Sequence, residues 1–403
     1  MDNIELQKFE EASEMLKRVL HHTELDLSST FSKICDAKVY LKCENRQKTG
    51  SFKIRGATYK IMSMAARGEK VPVVASSAGN HAQGVAYAAS LAGIPATIVM
   101  PAHAPIAKVQ ATEGYGAKVV LHGDFYDDAY RKAVEICDQE GAKFLHPYND
   151  IEVITGQGTL GLEILEDLPT ADVIVVPAGG GGLLAGISCA VKQVNPRVRV
   201  IGVQAEGADA IARSFRYKKL EKSDTVSTIA DGIAVKEPGD ITVELINRYA
   251  DDVVTVSDSD IASSILMLME RCKMIVEPAG AASVAAVLGR KIDVRGKKVV
   301  CVLSGGNMDV SFVQGIIERG LVARHRRVKL TVTLVDKPGS LEKLLHVIAE
   351  SGANILSIQH DKFSTDLNPN EINVNIACEV GGKEHSKQLA ALLAEKGYRI
   401  AFN

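Results

Sequence analysis

Apolar residues recur along this chain in two rhythms, and the alternation between them sets the expected architecture. Residues 4–22 place Phe9, Met15, Leu16, Val19 and Leu20 at helical spacing, ending at the pair His21 and His22. A short strand is expected at Lys38–Lys42. Helical spacing resumes with Ile54, Ala57, Ile61 and Met64, flanked by Thr58 and Ala65. Ser51, just ahead of them, is the expected N-cap. From Val71 onward, short β-branched runs alternate with helical segments: Val71–Ala75, Ala96–Met100, Lys118–Leu121, Asp172–Val176, Val198–Val203 and Lys297–Leu303. That alternation predicts βαβ units and an α/β fold whose parallel strands are covered on both faces. Right-handed crossovers then gather the loops after the strands at one edge, where ligands bind in such sheets.

The pattern changes near residue 322. Residues 322–329 read VARHRRVK, a basic stretch expected to be a linker at 323–328. Beyond it, strand-like alternation at Val328–Val335 is followed by the turn Asp336-Lys337-Pro338-Gly339 and an amphipathic helix at Ser340–Ser351. Strands at Ala353–Phe363 and Ile372–Glu379, a helix at Lys383–Lys396 and a last strand at Tyr398–Phe402 complete βαββαβ, a ferredoxin-like unit over 329–403. Its open sheet edge suits pairing with a second copy or an effector site.

Composition narrows the function classes. The 403 residues are 46% hydrophobic and 24% charged, as in a globular protein with a large core. A net charge of −2 argues against a nucleic-acid partner. The lack of a long apolar run or a basic-then-apolar leader argues against membrane insertion or secretion. The seven cysteines, odd in number and well separated, read as free thiols in a reducing compartment, so a cytoplasmic location is expected.

The candidate chemistry lies at the start of the helix that carries Ile54, Ala57 and Ile61 and in three loops that follow strands. Lys53 stands in TGSFKIRGA at the start of its helix, where the dipole and partial burial disfavour the ammonium form. A partly neutral lysine is a nucleophile and a base, as Schiff-base chemistry requires; a solvated first-turn lysine is the plainer reading. The loop Ser76-Ser77-Ala78-Gly79-Asn80-His81 brings two hydroxyls, small residues and a helix start, which suit a carboxylate or phosphate. Gly179, Gly180, Gly181 and Gly182, then Leu183, open a helix running to about Val194 and offer backbone amides to a phosphate. The turn Ser304-Gly305-Gly306-Asn307 places a hydroxyl at a strand end. Asp231-Gly232-Ile233-Ala234 and Glu277-Pro278-Ala279-Gly280 add small residues fit to lie beside a planar ligand. One competitor is a dinucleotide site, since Gly180-x-Gly182-x-x-Ala185 with Glu206 after the next strand fits that fingerprint loosely. It leaves Lys53 and the Ser76–His81 loop without a role. No HExxH, P-loop, calcium loop or GxSxG elbow occurs.

Taken together and in this order, TGSFKIRGA, SSAGNH, GGGGL and SGGN resemble the fold-type II pyridoxal-phosphate enzymes. Within them they are most similar to the threonine ammonia-lyase (threonine dehydratase) family, over roughly residues 5–320. The last 75 residues resemble an ACT domain, carried by DKPGSL and Gly352-Ala353-Asn354-Ile355. The resemblance implies a tryptophan-synthase-β-like catalytic domain at 1–322 with a smaller subdomain at roughly 48–148, and an ACT regulatory domain at 329–403. It implies that Lys53 holds pyridoxal 5'-phosphate covalently and moves the substrate Cα proton. Phe52 would pack beside the ring, Asn80 would bond the cofactor 3-hydroxyl, and Gly179–Gly182 with Leu183 would bind the phosphate. Ser304 would contact the pyridine nitrogen, leaving it uncharged and favouring elimination over transamination. Ser77, Asn80 and His81 would receive the substrate carboxylate.

The same resemblance implies deamination of L-threonine to 2-oxobutanoate and ammonia, with L-serine giving pyruvate. It also implies an amino-acid effector at the ACT domain, and a homodimer or homotetramer. Two departures bear on the reaction. Related serine racemases carry a serine before the Gly-Asn pair as the base on the second ring face, and here that position is Ala78, so elimination should outrun racemisation. Their divalent-cation carboxylates align with Gln204 and Ala210, which argues against a magnesium site, allows a monovalent cation held partly by backbone carbonyls, and leaves Glu206 without an assignment. Other fold-type II chemistries, serine racemase among them, and a catalytically silent amino-acid sensor are the alternatives.

Overall fold

The computed structural model describes residues 4–362 and 367–402, which form two compact units, 1–309 and 310–403. The first holds two sheets. Six strands run in the order Leu25–Leu27, Lys38–Lys42, Lys298–Val302, Val173–Pro177, Arg199–Ala205 and Asp252–Val256. All pairings are parallel except at the Leu25–Leu27 edge. Four further strands, Lys118–Leu121, Ala96–Met100, Val73–Ser76 and Lys143–Phe144, form a second, wholly parallel sheet. The central strands are runs of Val and Ile: Val173–Pro177 is buried at every position, as a strand covered on both faces must be.

Glycines set how the helices meet. A Cβ on Gly156, in the helix Ile151–Asp167, would lie 2.7 Å from the Cα of Gly56 in the helix Lys53–Ala66. A Cβ on Gly186, in the helix Gly182–Val194, would lie 2.4 Å from the Ile154 carbonyl oxygen. Backbone therefore packs directly on backbone, and the helix that begins at Lys53 is held rigidly to the one that follows the glycine loop. The side chain of Gln157 completes the junction by accepting the Gly56 amide at 3.2 Å.

The start of the Lys53 helix corrects one expectation. Ser51 is not the N-cap: its backbone is extended, its hydroxyl is buried without a partner, and Phe52 occupies the cap position without a side-chain bond. Ser51 instead forms a β-bridge to Gly305, and the Phe52 amide donates to the Ser304 carbonyl at 3.1 Å. Tertiary pairing has displaced the local cap.

In the second unit the strands Arg327–Val335, Asn354–Asp361, Glu371–Glu379 and Arg399–Phe402 form an antiparallel sheet. The spatial order is Asn354–Asp361, Glu371–Glu379, Arg327–Val335, Arg399–Phe402. With the helices Ser340–Glu350 and Lys383–Glu395 this is the ferredoxin-like βαββαβ arrangement. Strict alternation in Arg327–Val335 sends Val328, Leu330, Val332 and Leu334 into a core shared with Leu344, Ile348, Val374, Ile376, Leu389 and Leu393. Phe363, expected to end the second strand, lies outside the described residues. The helix Val310–Ala323 clusters with this unit, and residues 324–326 form the short turn into its first strand.

Candidate active site

Lys53 is the first residue of its helix, and its Nζ donates to the Pro147 carbonyl at 2.9 Å. The ammonium also lies 5.4 Å from the centre of the Phe52 ring. Burial lowers the Lys53 pKa to about 8, with the Glu277 carboxylate pulling the other way. At neutral pH roughly a tenth of this amine is uncharged, several hundred times the fraction for an ordinary lysine.

The Ser76–His81 loop turns from the second sheet into the helix Asn80–Ala92. Asn80 faces the large sheet: its Nδ2 donates to Glu277 Oε1 at 2.8 Å and Oε2 at 3.0 Å, and its Oδ1 accepts from Asn307 Nδ2 at 2.8 Å. Ser77 Oγ accepts the Gly79 amide. His81 is turned toward the second sheet, where Nε2 lies 3.0 Å from the Leu145 carbonyl oxygen. Burial, then the nearby Lys53 charge, lower its pKa to about 3. It is therefore neutral, with Nε2–H as donor and a buried Nδ1 that has no partner. His146 is likewise neutral, lowered to about 4 by burial, and its Nδ1 accepts the amides of Tyr148 and Asn149.

The glycine loop has the form of an anion cradle. Among the described residues, no acceptor takes the N–H groups of Gly179, Gly180, Gly181 or Gly182. Side chains are excluded by what surrounds them. A Cβ on Gly180 would sit 2.4 Å from the Tyr148 ring, and one on Gly181 (φ +96°) 2.8 Å from Thr242 Oγ1. Thr242 Oγ1 in turn donates toward the Gly180 carbonyl at 2.7 Å, and Tyr148 OH donates to the Glu237 carbonyl. Free amides at the start of a 13-residue helix suit a phosphate.

The remaining loops close the ring. Gly232, in the turn Asp231–Ile233, stands close enough to Ala279 and Glu277 that a Cβ would meet Ala279 Cβ at 2.9 Å. Gly305 lies against Glu277 and Asn80 in the same way. Ser304 is buried at the end of Lys298–Val302. Gln204 accepts the Ala212 amide at 2.9 Å, and Glu206 pairs with Lys291. Four residues were not assigned from sequence: Glu277, Asn307, Tyr148 and Thr242. Only Glu277 and Asn307 sat in stretches already singled out, and their partner Asn80 is 197 and 227 residues away.

A lysine of depressed pKa, a cradle of unpaired amides and the polar cluster of Asn80, Glu277 and Asn307 suit an aldehyde cofactor that carries a phosphate and a planar ring. The chain belongs to the family described as pyridoxal-phosphate dependent enzyme, whose match runs over residues 17–305. It is 48% identical, over 98% of its length and 99% of the relative's, to L-threonine ammonia-lyase of Thermotoga maritima. Its fold matches maize serine racemase with a TM-score of 0.75 at 34% identity, covering 80% of this chain and 100% of that one. It also matches the processed form of threonine deaminase isoform 2 from Solanum lycopersicum with a TM-score of 0.75 at 33% identity, over 79% of this chain and 89% of that one. No helix among the described residues is long and apolar enough to cross a membrane.

Proposed function

We propose that the protein is a threonine ammonia-lyase, removing water and then ammonia from L-threonine to give 2-oxobutanoate, and acting on L-serine to give pyruvate. The observation that carries the reading is the end-to-end likeness to L-threonine ammonia-lyase, which spans both compact units.

Gly179–Gly182 and Leu183 would hold the cofactor phosphate, Phe52 would pack beside its ring, Ser304 would contact the pyridine nitrogen, and Asn80 would bond its 3-oxygen. Bound pyridoxal phosphate supplies the electron sink for the carbanion formed when the Cα–H bond breaks. Lys53 Nζ would hold the cofactor at rest and would serve as the base for the substrate Cα proton. Its low pKa keeps a usable share of the amine neutral for that step. Ser77 and Asn80 orient the substrate carboxylate. His81, neutral and buried, keeps positive charge away from Lys53 while its Nε2–H stays on the Leu145 carbonyl. Ala78 provides no second base, so protonation on the opposite face is slow and elimination prevails.

The C-terminal ferredoxin-like unit is the ACT module at which an amino-acid effector sets activity, and the chain works as a homodimer or homotetramer in the cytoplasm. Purified protein should be yellow and release 2-oxo acid from L-threonine. Lys53→Ala should abolish both the covalent visible band and the release. A colourless wild-type protein carrying a bound nucleotide would refute the reading.

A further inference from the structure

Glu277 and Asn307 bracket Asn80 on both sides, and their hydrogen bonds have a fixed direction. Asn307 Nδ2 donates to the Thr49 carbonyl at 2.6 Å and to Asn80 Oδ1 at 2.8 Å. Asn80 Nδ2 donates onward to both oxygens of Glu277. The Thr49 carbonyl at one end can only accept, and Glu277 at the other accepts from Asn80 in its ionised form. Asn307 must therefore turn its NH₂ inward, and Asn80 must turn its own toward Glu277. The space is equally determined. A Cβ on Gly305 would lie 2.5 Å from Glu277 Oε1, and one on Gly50 2.4 Å from Asn307 Oδ1, so glycines at both places let the side chains close on Asn80.

We propose that Glu277 and Asn307 are positioning residues that fix the orientation of the Asn80 amide, so that it presents N–H rather than C=O to the 3-oxygen of bound pyridoxal phosphate. The inference rests on the cofactor assignment above and extends it to two residues that reach the cofactor through a third. An N–H donor favours the 3-oxygen as an anion, and a carbonyl there would favour its protonated form. The relay thus sets the protonation state of the cofactor ring system without touching it. The charged groups facing Glu277 are Lys53, Lys108 from the helix Ile106–Gly114, and Asp231 from the turn Asp231–Ile233. Burial raises the Glu277 pKa to about 7.

The test is a spectrophotometric pH titration of the purified holoenzyme, which reads the balance of the cofactor's long- and short-wavelength bands independently of turnover. Glu277→Gln can offer an NH₂ to Asn80, and Asn307→Asp can accept from it, so each removes the fixed direction. Both should shift the balance toward the short-wavelength band and move the titration midpoint by about one pH unit or more. Glu277→Asp should retain most of the wild-type spectrum. If Glu277→Gln does not fold, Asn307→Asp and Glu277→Asp carry the comparison. Wild-type bands and midpoint in Asn307→Asp or Glu277→Gln, with only thermal stability altered, would overturn the proposal. A colourless wild-type protein would instead overturn the cofactor assignment, and this inference with it.

Discussion

The lysine that makes the site reactive should also make the cofactor-free protein less stable, and Lys53→Met isolates that cost. Burial lowers the folded-state pKa of Lys53 from the ordinary 10.5 to about 8. The folded state therefore binds its proton less tightly than the unfolded chain does. Below pH 8 both states are protonated and the full penalty applies, about 3 kcal/mol by the usual conversion. Between pH 8 and 10.5 the folded amine is neutral while the unfolded one is still charged, so the penalty disappears as pH rises. Two losses offset the gain from methionine: the Pro147 carbonyl loses its donor, and Glu277 loses a nearby positive charge. A net stabilisation of about 1–2 kcal/mol at pH 7 remains, or about 1.5–3 °C in Tm for a catalytic unit of this size. The assay is thermal and urea unfolding of the two apoproteins at pH 7 and pH 10, with the advantage of the variant shrinking at the higher pH. A variant less stable than wild type at pH 7, or a difference of one size at both pH values, would refute the reasoning.

Other substitutions test separate parts of the structure. Gly180→Ala drives a methyl into the Tyr148 ring and should weaken cofactor binding by about tenfold or more, measured by titrating apoprotein with pyridoxal phosphate. Arg55→Met strands the buried carboxylates of Glu44 and Glu163, which Arg55 now pairs; a loss of about 3–5 kcal/mol is expected from urea midpoints. Ala78→Ser restores a hydroxyl on the second face of the ring, and should raise racemisation of L-serine relative to elimination, followed by chiral chromatography of the remaining substrate.

Much of the fold is written in short-range pattern, and what escaped the pattern is set by distant contacts. The runs at Ala96–Met100 and Lys118–Leu121 became strands with those ends because β-branched residues there meet parallel neighbours over their whole length. Leu25–Leu27 and Lys143–Phe144 carry only three and two residues, too few to show a period, and exist because a sheet edge recruits them. The division into two sheets has no local signature either, since a strand does not encode which neighbour it pairs with. At the site, Lys53, the glycine loop and Asn80 stand out as residue types in telling places. Glu277 does not, because a glutamate before proline is an unremarkable helix entry until a buried amide is found 197 residues earlier in the chain. Ser51 shows the opposite case, a sound local rule for capping set aside by the bridge to Gly305.

That bridge also has a meaning for the chain as it is made. Residues 51 and 305 lie near opposite ends of the catalytic unit, yet the backbone of each holds the other where the cofactor binds. At about 5–20 residues per second, roughly 10–50 s separate synthesis of the lysine segment from synthesis of its partner. Until then the lysine segment lacks the backbone partners at Ser304 and Gly305, although the glycine loop has already been made. The backbone that fixes the start of the Lys53 helix is thus complete only in a chain whose last catalytic strand has been delivered.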